Sequence, residues 1–369
     1  MTVSVIVLAA GEGARMRSTR PKPLHLICGR PMVLHVIQSL EKVAPSRTVV
    51  VVGHGAEQVT KKVQEQAPAW ANVTFVEQAV QAGTGDAALV GLSALPGDGV
   101  NDDLDDTSTV VVLPGDSPLL QPETIDTLVA AHNANQYAAT LITSVMDDPT
   151  GYGRVIRSPS KHGDGRVLRI VEQRDANEQE RAIQEVCTSM YAFRRDLLGP
   201  ALRHLGPENS QGEHYLTDVV GALAKMGHRI GCIQAPASET QGVNDRWQLA
   251  LAERELRSRT NRRWLLNGVT MLDPRQTFID VTVKLGRDVT LYPGTILQGS
   301  TRVGDGCEIG PDTRLTDCEV GANCTVEHAV GQECDIGEGA HVGPYAFLPS
   351  GSSVNPGAVT GAFYTAPVD

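Results

Sequence analysis

The chain has 369 residues and a formal net charge of −11 at pH 7. That acidic balance argues against a nucleic-acid partner or an anionic membrane surface, and the sequence contains no apolar run of the roughly 18 residues that a membrane span needs. The seven cysteines include no CxxC pair, so we expect free thiols in a reducing cytoplasm rather than disulfides or a zinc site.

The first two-thirds of the sequence alternates between apolar strands and helices. Buried strands are predicted for SVIVLAA, TVVVVGH, VTFVEQ and TVVVLPGD, and helical spacing appears in MVLHVIQSLEKV, AEQVTKKVQEQA and GDAALVGLSAL. This rhythm predicts an α/β fold with a doubly wound, mostly parallel sheet that helices cover on both faces. The acidic, turn-rich segment 96–108 predicts a solvated loop rather than a metal site.

Two features at the carboxyl ends of predicted strands indicate phosphate chemistry, because ligands of such folds bind at that edge of the sheet. After the first strand, LAAGEGARMRSTRPKPLH carries Gly11 and Gly13, which let backbone N–H groups approach a phosphate, and the cations Arg15 and Lys22. By itself this loop is equally typical of simple phosphate binding. The strand TVVVLPGD, however, ends in a Gly-Asp pair, and the Asp116 carboxylate is placed to hold Mg²⁺.

Together the loop and the carboxylate predict nucleotidyl transfer. In that reaction a phosphate monoester attacks the α-phosphorus of a nucleoside triphosphate, and pyrophosphate leaves. The attacking phosphate is already largely ionised at pH 7, so catalysis needs alignment and charge neutralisation rather than a general base.

The pattern changes near Asp245. DRWQLALAERELRSRTNRRWLL predicts one long helix, with Trp247, Leu251 and Leu256 on an apolar stripe and many arginines opposite. The basic face is more typical of a solvated helix surface than of a partner-binding surface.

After Gly268 the helical pattern gives way to a repeat. Aliphatic residues recur every six positions from Leu285 to Leu315, slip by one residue, and resume at Ile336 after a ten-residue step. A six-residue period with adjacent turn glycines is the signature of a hexapeptide β-helix, here of about four coils. We therefore predict a Rossmann-like nucleotidyltransferase domain over 1–246, a linking helix over 247–268 and a short left-handed parallel β-helix over 269–369.

The opening loop closely resembles the signature of the sugar-nucleotide pyrophosphorylases, a Leu-Ala-Ala-Gly turn followed by Gly-x-Arg-Met and Pro-Lys. Further stretches resemble, in order, the family of bifunctional N-acetylglucosamine-1-phosphate uridyltransferase/glucosamine-1-phosphate acetyltransferases. They are EQAVQAGTGDA, LPGDSPLL, GYGRVIR, IVEQRDA, EVCTSMYAF, HYLTDVV and GVNDRWQLA. The resemblance covers residues 3–250, with the hexapeptide solenoid behind them.

The resemblance implies Mg²⁺-dependent uridylyl transfer from UTP to N-acetylglucosamine 1-phosphate, by a homotrimer. It implies that Arg15 and Lys22 are catalytic and that Asp116 and Asn244 hold the metal. The nucleotide contacts that it implies, with Gln78 reading the uracil edge, are Leu8, Ala9, Ala10, Gly11, Lys22, Gln78, Gly83, Thr84 and Gly115. The sugar contacts that it implies are Gly153, Glu172 and the position of Cys187.

This sequence departs from the family pattern at several positions. Cys187 replaces the asparagine expected to hydrogen-bond the sugar, and a thiol is a weak donor and acceptor; a buried filler is favoured over a reactive role. Asp86 stands where a histidine is usual after Gly-Thr-Gly, and Pro23 follows Lys22 in place of an aliphatic residue. Pro349 replaces an arginine, and the sequence ends before the family's histidine-bearing coil, so we expect no acetyltransferase activity.

Two other functions remain open on the sequence. The first is the same chemistry with a different sugar 1-phosphate, because Cys187 alters the sugar pocket. The second is a non-catalytic nucleotide-binding scaffold or regulator. The retention of Arg15, Lys22, Asp116 and Asn244 argues against the scaffold, which has no need of all four.

Overall fold

The computed structural model describes residues 2–95, 108–159, 165–207 and 209–367, so residues 96–107 of the predicted acidic loop lie outside the described part. The chain divides into two compact units. The first consists of Met1–His25 and Pro31–Leu249, and the second of Leu26–Arg30 and Ala250–Asp369.

The strands that precede the long helix are, in chain order, β1 (Val3–Ala9), β2 (Leu26–Ile27), β3 (Arg30–Pro31), β4 (Arg47–Val52), β5 (Val73–Glu77), β6 (Thr109–Pro114), β7 (Ala139–Val145), β8 (Gly153–Arg157), β9 (Val167–Val171), β10 (Glu185–Arg194) and β11 (Ile230–Gln234). The helices are α1 (Met32–Gln38), α2 (Ala56–Gln66), α3 (Thr84–Ser93), α4 (Pro122–Asn135), α5 (Glu178–Arg181), α6 (Arg195–Arg203), α7 (Leu216–Lys225), α8 (Ala237–Thr240) and α9 (Arg246–Leu266).

The first unit is built on one large sheet with the strand order β11-β7-β10-β6-β1-β4-β5, to which β8 and β9 are joined through β10. Strand β1 pairs in parallel with β4 on one side and with β6 on the other. Strand β10 runs antiparallel to both of its neighbours, β6 and β7. The mostly parallel, doubly wound prediction is confirmed. Because the strand order reverses at β1, the carboxyl ends of β1 and β6 flank the crevice where such folds bind ligands.

Helices cover both faces of this sheet. Successive residues of its central strands point to opposite faces, so each strand contributes to two buried layers. Val5 and Val7 of β1 belong to a buried cluster that includes residues of α1, α2 and α4. Ile6, between them, belongs to a second cluster with residues of α3, α6 and α7. Burial on both sides explains why the strands are continuously apolar rather than alternating.

Helix α9 confirms the long helix that the sequence predicts, and the predicted apolar stripe is wrong at Trp247, whereas Leu251 and Leu256 are half-buried. Trp247 is 72% exposed, and the residues that α9 buries are Ala252, Thr260 and Asn261. The Asn261 Nδ2 donates to the carbonyl oxygens of Pro274 and Thr277 at 2.7 and 2.9 Å. A buried, hydrogen-bonded amide therefore forms part of the buried side of this helix. Within the four described ranges, no helix is both long and apolar enough to cross a membrane.

The second unit contains the strands β12 (Thr270–Met271), β13 (Phe278–Ile279), β14 (Lys284–Leu285), β15 (Thr290–Leu291), β16 (Ile296–Gln298), β17 (Arg302–Val303), β18 (Glu308–Ile309), β19 (Arg314–Thr316), β20 (Glu319–Val320), β21 (Thr325–Val326), β22 (Val330–Gln332), β23 (Asp335–Ile336), β24 (His341–Val342), β25 (Phe347–Leu348) and β26 (Ser353–Val354). They form three parallel five-stranded sheets, each made of every third strand. This is the left-handed parallel β-helix that the hexapeptide period predicts. The estimate of about four coils is too low, because the sheets begin at β12, ahead of the regular period.

The ten-residue step in the aliphatic series has a structural cause. Gly331 occupies the inward position between Val326 and Ile336, where it pairs with Leu315 on one side and Leu348 on the other. The long step is therefore two five-residue steps whose shared position holds a glycine. A Cβ at Gly331 would lie 2.9 Å from the Leu315 side chain and 3.0 Å from the Cys334 Sγ. Larger neighbours thus fill the space that an aliphatic residue would occupy. Because this inward position holds a glycine, the aliphatic period in the sequence does not show it.

Sulfur atoms make up part of this filled interior. The Sγ atoms of Cys318 and Cys334 lie 3.5 Å apart on successive coils, and both thiols are buried. All seven cysteines of the chain are free, which confirms the prediction of free thiols.

We expect Gly331→Val to destabilise the β-helix by about 1–3 kcal/mol, because overpacking a filled core forces neighbouring side chains out of position. The urea midpoint of unfolding measures the effect. Val330→Leu is the matched control, since Val330 lies on the same strand and is 47% exposed. Equal midpoints for the two variants would contradict the packing role of Gly331.

Candidate active site

The loop after β1 is shaped by two short 3₁₀ turns, Ala14–Met16 and Lys22–Leu24. Met16 is 1% exposed and anchors the first turn, which carries Arg15. Gly13 precedes it with φ 66°, a left-handed conformation that favours glycine, and a Cβ there would lie 2.6 Å from the Lys22 Cβ. A glycine at this position therefore lets the loop fold back so that Arg15 and Lys22 emerge together.

The end of β6 lies directly beside the end of β1. The Gly115 backbone N–H donates to the Leu8 carbonyl at 2.8 Å, and a Cβ at Gly115 would lie 3.0 Å from that oxygen. The next residue, Asp116, accepts a backbone hydrogen bond from Val243 at 2.9 Å. That bond places the segment just before α9 against the end of β6.

Four side chains from three distant parts of the chain meet at this point. The Lys22 ammonium forms an ion pair with the Asp116 carboxylate and donates to the Asn244 Oδ1 at 3.0 Å. The Arg15 guanidinium donates to the same Oδ1 at 2.9 Å. The side chains of Lys22 and Asp116 are 14% and 25% exposed. The structure thus brings together both predicted cations and both predicted oxygen ligands.

A second group of predicted residues surrounds Gln78, which follows β5 and is 5% exposed. Its Nε2 donates to the Gly83 carbonyl at 3.2 Å and to the Asp86 carboxylate at 2.7 Å. Thr84 begins α3, and its hydroxyl accepts from the Leu216 backbone N–H at 3.0 Å. Hydrogen bonds therefore hold the start of α3 both to Gln78 and to the start of α7.

The remaining predicted residues lie in β8, directly after β9, and in β10. A Cβ at Gly153 would lie 2.8 Å from the Ile170 side chain and 3.4 Å from the Glu172 carboxylate, so this glycine allows a close approach. The Thr217 hydroxyl donates to Glu172 at 2.9 Å. Burial raises the pKa of the Glu172 carboxyl, and the nearby Asp218 carboxylate raises it further.

Cys187 lies in β10 and is 2% exposed. Its thiol donates to the Tyr191 hydroxyl oxygen at 3.3 Å, and burial raises the pKa of Cys187 to about 12. The thiol is therefore protonated at neutral pH, and a reactive role, which needs the thiolate, is not favoured. The packing agrees with the interpretation of Cys187 as a buried filler.

All of the predicted site residues line one cavity of about 930 Å³. They come from the end of β1 and the loop that follows it, from the end of β6, from the Gln78 turn, from the β8–β10 region and from the segment just before α9.

Comparison with known proteins identifies the family of this chain. Residues 5–217 match the family model of the MobA-like NTP transferase domain. The bifunctional protein GlmU of Streptomyces avermitilis is 46% identical over 363 residues, which cover 98% of this chain and 72% of the relative. The GlmU of Thermobifida fusca is 45% identical over 90% of this chain and 67% of its own. The chain belongs to the GlmU family.

Membership in the GlmU family and the NTP transferase match make this chain a nucleotidyltransferase, so the non-catalytic scaffold is not supported. A solved structure of UDP-glucose pyrophosphorylase complexed with UDP-glucose is similar in fold, with a TM-score of 0.53 and 17% identity over 70% of this chain and 100% of that chain.

Sequence reasoning missed several residues that line the cavity of this GlmU-family chain, among them Gln81, Tyr191 and Thr217. The Gln81 Nε2 donates to the Ala10 carbonyl at 3.0 Å, which ties the Gln78 turn to the opening loop. Thr217 lies in the recognised stretch HYLTDVV, so its position carried a signal. The contact that gives it a role, the hydrogen bond to Glu172, joins residues too distant in sequence for any local pattern to show.

Proposed function

We propose that this chain transfers the uridylyl group of UTP to N-acetylglucosamine 1-phosphate, which yields UDP-N-acetylglucosamine and pyrophosphate. The observation that carries the proposal is the convergence of Arg15, Lys22, Asp116 and Asn244 at one end of a cavity that Gln78 and Glu172 also line. Family membership supports the same chemistry.

In the proposed mechanism the cations act by position and charge. The phosphate of the sugar 1-phosphate attacks the α-phosphorus of UTP, a bond forms between its oxygen and that phosphorus, and the bond to the β-phosphate oxygen breaks. Arg15 and Lys22 lie beside one another and neutralise the charge that builds up on the triphosphate and on the leaving pyrophosphate. No residue has to remove a proton from the attacking phosphate.

The oxygens of Asp116 and Asn244 fit a hard divalent cation such as Mg²⁺. Both accept from the single Nζ atom of Lys22, which shows that they converge on one positively charged point. Magnesium is commonly held by one or two carboxylates, with waters and substrate phosphates completing its shell. A magnesium site of this kind does not need three protein ligands. The described residues contain no cluster of three or more His, Cys, Asp or Glu side chains that could hold a metal ion. When bound, the ion supplies Lewis-acid stabilisation of the transferring phosphoryl group.

The sugar 1-phosphate is placed by the β8–β10 wall of the cavity. Glu172, with its Thr217 partner, offers carboxylate oxygens to sugar hydroxyls. Cys187 offers a weakly polar thiol that already donates to Tyr191, so it supplies less hydrogen bonding than the asparagine of the family pattern. This single position is what favours a second candidate function, uridylyl transfer to a different sugar 1-phosphate.

The test is pyrophosphate release with UTP and a panel of sugar 1-phosphates. We expect kcat/KM to be highest with N-acetylglucosamine 1-phosphate. The variant Cys187→Asn, which restores an amide at that position, should not lower the preference for this sugar. A higher kcat/KM for a sugar without the N-acetyl group would favour the second candidate, and no release with any sugar would overturn both.

Three further properties belong to the same proposal. We propose that this chain does not transfer an acetyl group from acetyl-coenzyme A, because Pro349 stands where the family pattern has an arginine. A homotrimer is supported by large apolar side chains on the β-helix surface, since Tyr345 is 58% and Phe363 77% exposed. A cytoplasmic location is supported by the free cysteines.

A further inference from the structure

We propose that Asp86 is a positioning residue that fixes the orientation of the Gln78 side-chain amide and thereby sets the preference of the site for uracil over cytosine. The inference rests on the proposed function, because it assumes that Gln78 reads the base of the nucleotide. It assigns a role to a residue at which this sequence departs from the family pattern.

The hydrogen bonds around Gln78 decide which way its amide faces. Its Nε2 lies 2.7 Å from the Asp86 Oδ2 and 3.2 Å from the Gly83 carbonyl oxygen. An ionised carboxylate and a backbone carbonyl both accept hydrogen bonds and cannot donate them. If the amide were turned over, its oxygen would face two acceptors. The NH₂ group is therefore the end that faces Asp86 and Gly83.

This orientation leaves one kind of hydrogen bond for a ligand. An amide NH₂ group has two N–H donors, and two protein acceptors already engage them. Gln78 is buried but lines the cavity, so its Oε1 is the polar atom left to meet a base. A carbonyl oxygen accepts and does not donate, so the base must present a donor.

Uracil and cytosine differ in this respect on their Watson–Crick edge. The N3 of uracil carries a hydrogen and donates, whereas the N3 of cytosine has a lone pair and accepts. An Oε1 held toward N3 therefore pairs with uracil and opposes cytosine, and a buried polar group left unpaired is costly. A site built on hydrogen bonds to one ligand rejects an analogue that leaves them unmade.

The surroundings of Asp86 hold its carboxylate in place. Asp86 is in the first turn of α3, where the helix dipole stabilises a negative charge. The residue before it, Gly85, donates its backbone N–H to the His214 carbonyl at 2.7 Å, and a Cβ at Gly85 would lie 2.9 Å from that oxygen. The start of α3 is thus packed closely against the chain at His214, and the Asp86 carboxylate stays beside Gln78.

The test compares UTP with CTP in the full chain, both in turnover and in calorimetric binding. In Asp86→Asn the new amide can offer Gln78 either an oxygen or an N–H, so only the longer hydrogen bond to the Gly83 carbonyl still favours one orientation of the Gln78 amide. We expect the ratio of kcat/KM for UTP to kcat/KM for CTP to fall about tenfold or more. The ratio of the Kd for CTP to the Kd for UTP should fall by a similar factor. Most of the change should come from better use of CTP.

Two further variants separate positioning from a structural effect. Asp86→His, which introduces the residue usual in the family pattern, supplies a ring nitrogen that can accept from Gln78, so we expect it to retain the preference for UTP. Glu57→Gln is the matched control, because Glu57 also lies in the first turn of a helix, α2, and is exposed. It removes a similar helix-terminal charge and should leave the ratio unchanged.

The outcomes distinguish this inference from the proposed function. If UTP supports turnover but the ratio is the same in Asp86→Asn, the inference is overturned and the proposed function stands. If turnover is absent but UTP binds more tightly than CTP and Asp86→Asn removes that difference, the inference stands and the proposed function fails. If the chain binds neither nucleotide, both are overturned.

Discussion

Replacing Asp116 with asparagine is expected to lower turnover by about a hundredfold or more, the scale on which losing a principal electrostatic element slows an enzyme. The substitution keeps the shape of the side chain but removes the negative charge that would hold a divalent cation. It also weakens the contact with Lys22, the cation that pairs with this carboxylate. Pyrophosphate release from UTP and the sugar 1-phosphate measures the loss.

Folding should be little affected by this substitution, because the asparagine side chain keeps an amide oxygen that can still accept a hydrogen bond from the Lys22 ammonium. Asp126→Asn is a matched control, because Asp126 lies in α4, is exposed and does not line the cavity. Asp116→Asn with the turnover of this control would remove Asp116 from the proposed metal site.

Lys22→Met is expected to lower turnover by about 100- to 1,000-fold, with a larger effect on kcat than on the KM for UTP. Methionine keeps much of the length of the side chain but has no charge to offer the triphosphate. The loss falls mainly on kcat because the charge that Lys22 neutralises grows toward the transition state, and interactions that strengthen there are the ones that accelerate the reaction. Steady-state kinetics with varied UTP separates the two parameters.

Lys61→Met provides the control for this prediction, because Lys61 is an exposed lysine on α2. It removes the same charge from the chain without touching the cavity. Lys22→Arg keeps the charge but not the compact ammonium geometry, so we expect it to recover part of the activity. A kcat in Lys22→Met that equals that of the Lys61 variant would exclude Lys22 from the reaction.

The central strands and helices of the first unit could be predicted from local patterns. Continuous apolar runs mark β1, β4 and β6 because helices bury both faces of these strands. The antiparallel insertion of β10 between β6 and β7 could not be predicted in this way. Nothing in the sequence of β10 itself specifies its neighbours, since strand pairing depends on contacts between segments far apart in the chain.

The β-helix illustrates a second limit. Its period is visible because inward positions are aliphatic, as at Leu291 and Ile309, both of which are fully buried. At Gly331 the inward position is glycine, and Leu315 and Cys334 fill the space instead. A search for aliphatic residues at a fixed period therefore misses an inward position that holds a small residue and whose larger neighbours fill the space.

At the candidate site, motifs identified the residues but not their mutual contacts. All of the predicted residues line one cavity, which local stretches and their order were sufficient to suggest. The pairing of Lys22 with both Asp116 and Asn244, and of Gln78 with Asp86, depends on side-chain geometry. Such contacts become visible once the strands and turns are placed in three dimensions.

The double attachment of Lys22 has a thermodynamic consequence. A cation that takes the Asp116 Oδ2 and the Asn244 Oδ1 has to displace the ammonium group from both of them. The displaced ammonium, on a side chain only 14% exposed, then lacks a counterion and attracts an anion. Conversely, an anion that draws Lys22 away frees two oxygens for a cation. Occupancy by cation and by anion is therefore linked, and by reciprocity each strengthens the affinity for the other by the same factor.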